Sequence, residues 1–229
     1  MNRITLFHGS RGGIDGEIVP KSRNRCDFGC GFYMGTNPDQ AKSLVANDAS
    51  PYFYTVSLNL ENIPQDRKLV VDGLDWAFLV LYNRGRLDSI KGTELYDSCK
   101  QMMLNKDIIV GPIADDSINE VMKRFMDSQI TDKAFIESIK AIDYGIQYVA
   151  KTEFACSQIK ILTEQELDGD ELERATQIAF ERRREGSLAA QKMQLEYRNV
   201  GSYLDEIIEE AQRHIAPILE GGNINRNES

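Results

Sequence analysis

The chain has 229 residues, 36 acidic and 27 basic, and a formal net charge of −9. That length is ample for one core with an appendage, and no run of 18 apolar residues offers a membrane-spanning helix. The acidity opposes a general binder of nucleic acid or membrane surfaces, which needs cationic side chains to release counterions from phosphates.

Ile4 to His8 predicts a short strand ending in the turn Gly9-Ser10-Arg11-Gly12-Gly13. Residues 14–31, rich in Gly, Arg, Asp and Asn, predict a loop. Phe32, Tyr33 and Met34 form a short aromatic strand. Asn37-Pro38-Asp39 then opens a helix to about Asn47, with proline in the first turn, where no N–H is needed. From Pro51 to Leu60, the residues Tyr52, Tyr54, Val56, Leu58 and Leu60 share one face, which predicts a half-buried strand. Lys68 to Val71 is a shorter strand. Leu74 to Asn83 places Trp76, Leu79, Val80 and Tyr82 at helical spacing. Ile108 to Ile113 is a buried strand, after which Asp116 or Ser117 caps a helix to about Met126. Thr131-Asp132 caps another to about Ile142. Gln147–Ala150 and Gln158–Leu162 are the last strands, on either side of Thr152–Ser157.

The composition shifts near residue 165, where β-branched residues thin out and Glu, Arg, Ala, Gln and Leu dominate. Residues 1–164 therefore form one domain and 165–229 a helical appendage. Asp170 to Tyr197 predicts one long helix with a weak point at Gly186-Ser187. Gly201 to Leu219 predicts a second, bent or ended by Pro217, and Gly221 to Ser229 a disordered tail. The appendage holds 14 acidic and 8 basic residues, so most of the net charge sits there. Its acidic, amphipathic helices suit self-association or a partner protein.

Chemistry is limited by residue type. The two histidines, His8 and His214, exclude a histidine-rich metal centre, and no metal is expected. Cys26 and Cys30 lie close together, but no second pair or nearby histidine completes a zinc site, so the four cysteines read as free thiols. No Walker A, Rossmann or nucleophile-elbow motif occurs. Capping explains the acidic pair Asp115-Asp116. The first residues lack the apolar run of a signal peptide, so a cytoplasmic location is expected. His8 closes a strand before Gly-Ser, beside exposed backbone amides. In Phe28-Gly29-Cys30-Gly31-Phe32-Tyr33 the glycines allow close backbone approach to a flat ligand, and Tyr33 offers a stacking face.

Leu6-Phe7-His8-Gly9-Ser10-Arg11 resembles the first motif of the poly(ADP-ribose) polymerase type of ADP-ribosyltransferases. Phe28 to Tyr33 resembles their second motif, and Gln147-Tyr148-Val149-Ala150 stands where their third opens with glutamate. Asp27 to Thr36, Gly111 to Asp116 and Gln147 to Ala155 are most similar to a bacterial branch, the domain-of-unknown-function 3990 family. The resemblance covers residues 4 to about 162. It implies an α+β fold, with a split β-sheet core and helices to which the C-terminal helices are appended. NAD is implied as co-substrate.

The resemblance also implies roles. His8, Tyr33 and Gln147 would be the catalytic set. His8 would hold a hydroxyl of the adenosine ribose with Ser10 nearby, and Gly9 would bind the nicotinamide carboxamide through its backbone. Tyr33 would stack on nicotinamide, and Gln147 would contact the 2′-hydroxyl of the nicotinamide ribose. Arg11, Phe28, Gly29, Gly31 and Ser43 complete the implied cofactor-binding set. Two positions depart from the pattern. Gln147 replaces the usual glutamate and carries no charge, and residues 39–44 lack a second stacking tyrosine. The implied activity is mono-ADP-ribosylation of a protein or nucleic-acid acceptor, as in a bacterial toxin or effector. An inhibitor or antitoxin protein is then an expected partner. A silent NAD-binding module and an NAD glycohydrolase are the alternatives that Gln147 keeps open.

Overall fold

The computed structural model describes residues 3–213 apart from 49, 115 and 143, without the side chains of 116, 117 and 211–213. Its strands are β1 (Arg3–Ser10), β2 (Phe32–Gly35), β3 (Tyr52–Asn59), β4 (Lys68–Val70), β5 (Ile108–Pro112), β6 (Ile146–Ala150) and β7 (Ile159–Glu166). They form one mixed seven-stranded sheet in the order β4-β5-β6-β2-β1-β3-β7. β4 and β5 run parallel, and the other neighbours are antiparallel. The helices are α1 (Pro38–Ser43), α2 (Gly73–Asn83), α3 (Glu94–Met103), α4 (Asp116–Met126), α5 (Asp132–Ala141), α6 (Glu153–Ser157), α7 (Gly169–Glu196) and α8 (Leu204–Arg213). The fold is therefore α+β.

Local chemistry starts several of these elements. Asn37 caps α1 by accepting from the N–H groups of Asp39 and Gln40, with Pro38 in the first turn. Thr131 caps α5 by accepting from Ala134 N–H, as its sequence predicts. The capping expected of Asp115, Asp116 or Ser117 lies outside the described residues and side chains, as do His214, Pro217 and residues 221–229.

Two boundaries need correction, the ends of α1 and β7. Helix α1 stops at Ser43 rather than near Asn47, because the Ser43 hydroxyl bonds back to Gln40 C=O and the chain tightens into turns. Strand β3 is half-buried as its alternation predicts, with Tyr54, Val56 and Leu58 buried on one face and Thr55, Ser57 and Asn59 partly exposed on the other, where Phe53 alone is buried, against Ala41, Val45 and Leu167. Strand β7 runs to Glu166 instead of ending at Leu162. Its backbone keeps pairing with β3 as far as Tyr52↔Glu166, beyond a register shift at Thr55/Val56, whatever the side chains. Helix α3, absent from the predicted elements, turns Leu95, Tyr96, Cys99, Met102 and Met103 toward the larger core, with Cys99 fully buried.

The larger core cluster centres on Trp76, Phe125 and Phe135, where α2, α4 and α5 meet β5 and β6. The long appended helix belongs to this assembly. Ser138 Oγ donates to Ala190 C=O at 3.2 Å, and Lys42 Nζ pairs with Glu171 at 3.2 Å. Helix α7 passes unbroken through Gly186-Ser187. A Cβ at Gly186 would lie 3.0 Å from Tyr144 Oη and 3.1 Å from Ile142 Cγ2, so this glycine lets α7 pack closely. Gly186→Val is expected to destabilise the protein by about 1–3 kcal/mol through overpacking, read as a lowered denaturation midpoint. An unchanged midpoint would show that α7 does not pack there.

Candidate functional site: the gap between β1 and β2

β1 pairs with β3 along its whole length, and β2 pairs with β6 along its own. Between themselves, β1 and β2 share one pair, Phe7↔Gly35. The strands part beyond it and leave a cleft of about 120 Å³. That is close to the ~150 Å³ that admits one benzene ring in an engineered cavity. His8, Gly9, Tyr33 and Gln147 all line it. The sequence-predicted catalytic set therefore converges from three strands on one recess.

His8 bridges the gap. Its Nδ1–H donates to Tyr33 C=O at 2.7 Å. A carbonyl only accepts, so Nδ1 carries the proton and Nε2 is left with a lone pair. The ring stacks on Phe32 at 4.3 Å and tilts against Tyr54. Burial holds the imidazole below its ordinary 6.5, although the Tyr33 carbonyl pulls the other way. His8 is thus neutral at pH 7, and Nε2 is an acceptor. An NMR titration of His8 is expected to give a midpoint below 6.5. A midpoint at or above it would overturn the neutral assignment. The sign for stability follows: the unfolded imidazole takes up a proton that the buried one refuses. Stability is flat above about 6.5 and falls as pH drops below it.

Tyr33 is held by its hydroxyl, which donates to Gly29 C=O at 2.7 Å and accepts from Phe28 N–H at 3.0 Å. Burial pushes the phenol well above its ordinary value, so the hydroxyl stays protonated near neutrality. What it presents is a fixed ring. A side chain at Gly9 would run into the Ala41 carbonyl and Val45. Glycine there lets α1 lie against β1.

Gln147 is only 6% exposed. Its Nε2 donates to Asp27 Oδ2 at 3.0 Å and to Pro112 C=O at 2.8 Å. Both partners only accept, so the amide orientation is forced. Its carbonyl oxygen has no partner among the described residues. The Pro112 carbonyl also takes the Trp76 indole N–H at 3.0 Å. Asp27, 13% exposed, accepts from Arg84 Nη2 at 2.5 Å, and Arg84 also bonds Asn119. Asp27, Arg84 and Pro112 thus fix an amide that sequence reading treated alone. The one hint was that Asp27 directly precedes the Phe-Gly-x-Gly run.

The remaining predicted residues do not line this cleft. Phe28 is corrected to a core residue: its side chain is fully buried, its N–H is taken by Tyr33, and its carbonyl by Lys151. Gly29 receives the Tyr33 hydroxyl, and Gly31 N–H donates to Ser22 Oγ. Both glycines frame Tyr33. Ser10 Oγ donates to Gly13 C=O, and exposed Arg11 pairs with Asp48 at 3.4 Å. Ser43 lines an adjoining cavity of about 130 Å³ between α1 and α7, which also receives Arg182 and Arg183. Gln40 and Leu44 line both cavities, so the groove continues beneath the appended helix. Sequence reading missed Gln40, which carries no motif of its own.

Among the described residues, no group of three or more His, Cys, Asp or Glu side chains could hold a metal ion, and no helix is long and apolar enough to cross a membrane. The model of a family described as "Protein of unknown function (DUF3990)" matches residues 4–161. No curated protein and no solved structure matches the chain.

Proposed function

This chain belongs to the DUF3990 family of proteins of unknown function, and we propose that it is a mono-ADP-ribosyltransferase that uses NAD as substrate. The observation that carries this reading is the convergence of His8, Gly9, Tyr33 and Gln147 on one ring-sized recess. His8 Nε2 accepts a ribose hydroxyl of NAD. The Gly9 backbone meets the nicotinamide carboxamide, which needs one donor and one acceptor. The Tyr33 ring stacks on nicotinamide, and the open Gln147 oxygen accepts the 2′-hydroxyl of the adjoining ribose. In the reaction, the bond from ribose C1′ to the nicotinamide nitrogen breaks and its electron pair leaves with nicotinamide. The acceptor nucleophile then bonds to C1′ and gives up a proton. The centre at C1′ is oxocarbenium-like in between.

One feature favours a second reading. The residues lining the recess include no carboxylate, and Gln147 offers a dipole where a charge would stabilise the cation better. A module that binds NAD with little turnover fits that lining. One assay separates the readings: incubate the protein with NAD labelled in either half and with cell lysate. Transfer yields free nicotinamide and labelled macromolecules, whereas hydrolysis yields nicotinamide alone. Binding without either product indicates the silent module. No binding and no product would overturn the site.

A further inference from the structure

On the far side of the Asp27–Arg84 pair lies a larger cavity of about 800 Å³. Its walls are the end of α2 with the turn after it, one face of α4, and Arg25 from the loop before β2. The floor is apolar: Leu81 and Met122 are buried and Met126 partly so. The rim is cationic, with Arg25, Arg84, Arg86 and Lys123. Its two acids are already engaged, Glu120 with Arg124 at 3.4 Å and Asp127 with Lys123 at 2.7 Å. Arg84 is engaged with Asp27 and Asn119. Arg25 and Arg86 are exposed and have no ion-pair partner among the described residues.

This is an unusual place for uncompensated positive charge. The chain carries −9 overall, so acids to neutralise two arginines are plentiful elsewhere. Instead, two guanidiniums share the rim of one concavity, where low-dielectric walls concentrate their field. A guanidinium fork matches phosphate oxygens two at a time. The methionine–leucine floor is deformable and suits an apolar or aromatic body. The volume falls in the ~300–1,000 Å³ range of small-molecule sites.

We infer that this cavity binds a nucleoside phosphate, with Arg25 and Arg86 on the phosphate and the Leu81–Met122–Met126 floor under the base. The ligand is either a free nucleotide or the phosphorylated end of an oligonucleotide. The inference stands apart from the reading of the β1–β2 cleft, because it rests on different residues and needs no turnover.

Calorimetric titration of the full chain tests it, with adenosine and guanosine 5′-monophosphates, inorganic phosphate and a 5′-phosphorylated oligonucleotide as probes. Saturable binding is expected for at least one nucleotide probe, with inorganic phosphate weaker because it leaves the floor uncovered. Binding should weaken with salt and fall about tenfold or more in the Arg25→Gln/Arg86→Gln variant, as the loss of charge-assisted bonds implies. Both side chains are exposed, so this variant should keep the parent melting temperature, and the single charge reversal Arg86→Glu provides a second reading. Binding of the mononucleotides and of the oligonucleotide alike identifies the shared phosphate chemistry, and binding of only one of these two kinds identifies the source. No saturable binding by any probe would overturn the site. So would binding that survives the arginine changes and is lost in His8→Asn, since the ligand then sits between β1 and β2. Absence of nicotinamide release would overturn the transferase reading and leave this site intact.

Discussion

On the proposed transferase reading, Tyr33→Ala is expected to reduce nicotinamide release by about 100-fold or more, whereas Tyr33→Phe keeps most of it. The difference separates ring from hydroxyl. Alanine removes the flat face that is proposed to position nicotinamide, and misplacement of a reacting group costs on the order of 10²-fold. Phenylalanine keeps that face and loses only the two bonds to Phe28 N–H and Gly29 C=O. Losing them costs about 1–3 kcal/mol of stability, since both backbone groups sit in a partly buried turn. Steady-state release of nicotinamide, measured beside a thermal melt of each variant, checks both halves. If Tyr33→Phe is as dead as Tyr33→Ala while still folded, the hydroxyl takes part in the reaction and the assignment of a stacking role fails. If Tyr33→Ala is fully active, the recess is not the site.

The second large effect concerns Gln147. Gln147→Glu by itself is expected to destabilise the protein by about 1–3 kcal/mol. It would set a carboxylate against Asp27 Oδ2 and the Pro112 carbonyl, where the amide now donates at 3.0 and 2.8 Å. Three acceptors would then face one another in a site that is 6% exposed. The paired change Asp27→Asn/Gln147→Glu exchanges donor and acceptor across the contact. It should recover part of the lost stability, since the Pro112 carbonyl still faces the new carboxylate and Asp27→Asn gives up the charge paired with Arg84, and bring a negative charge to the edge of the cleft. Turnover of the pair is expected to exceed that of the parent by at least tenfold, because charge placed against a developing cation is worth a few kcal/mol. Denaturant midpoints and nicotinamide release for the four members of the cycle test this. Additive stabilities would show that Asp27 and Gln147 are not coupled. A stable pair with parental turnover would remove Gln147 from contact with the reacting ribose.

Much of this arrangement was legible in the chain. The alternation in β3, the short aromatic β2 and the apolar run of β5 announce themselves through nearest-neighbour chemistry. So do the caps of α1 and α5, where Asn37 and Thr131 satisfy amides two or three residues away. Helix α3 went unpredicted although its stripe is in the sequence: Leu95, Tyr96, Cys99, Met102 and Met103 recur at helical spacing and face the larger core. The extension of β7 was silent, since its last residues are exposed and held in the sheet by backbone bonds to β3. Gly186 invited the opposite reading. A glycine in a helical pattern suggests weakness, and here it is the point of closest approach between α7 and the segment at Ile142–Tyr144.

By itself the sequence determined the inventory: where most strands and helices begin, which side chains can carry chemistry, and the order of three motifs. These depend on interactions within a few residues, which a linear pattern records. Only the tertiary structure decided the pairings. Gln147 meets Asp27 across 120 positions because β6 lies beside β2 and the Asp27 loop folds back over their ends. That contact, with the Pro112 carbonyl, decides which atom of the amide is bonded and which is left without a partner among the described residues. The part-way divergence of β1 from β2 decides that a cleft exists at all. The same packing brings Arg25, Arg84 and Arg86 to one cavity on an acidic chain. Partners so far apart are chosen by strand order and close packing, and local preference is indifferent to both.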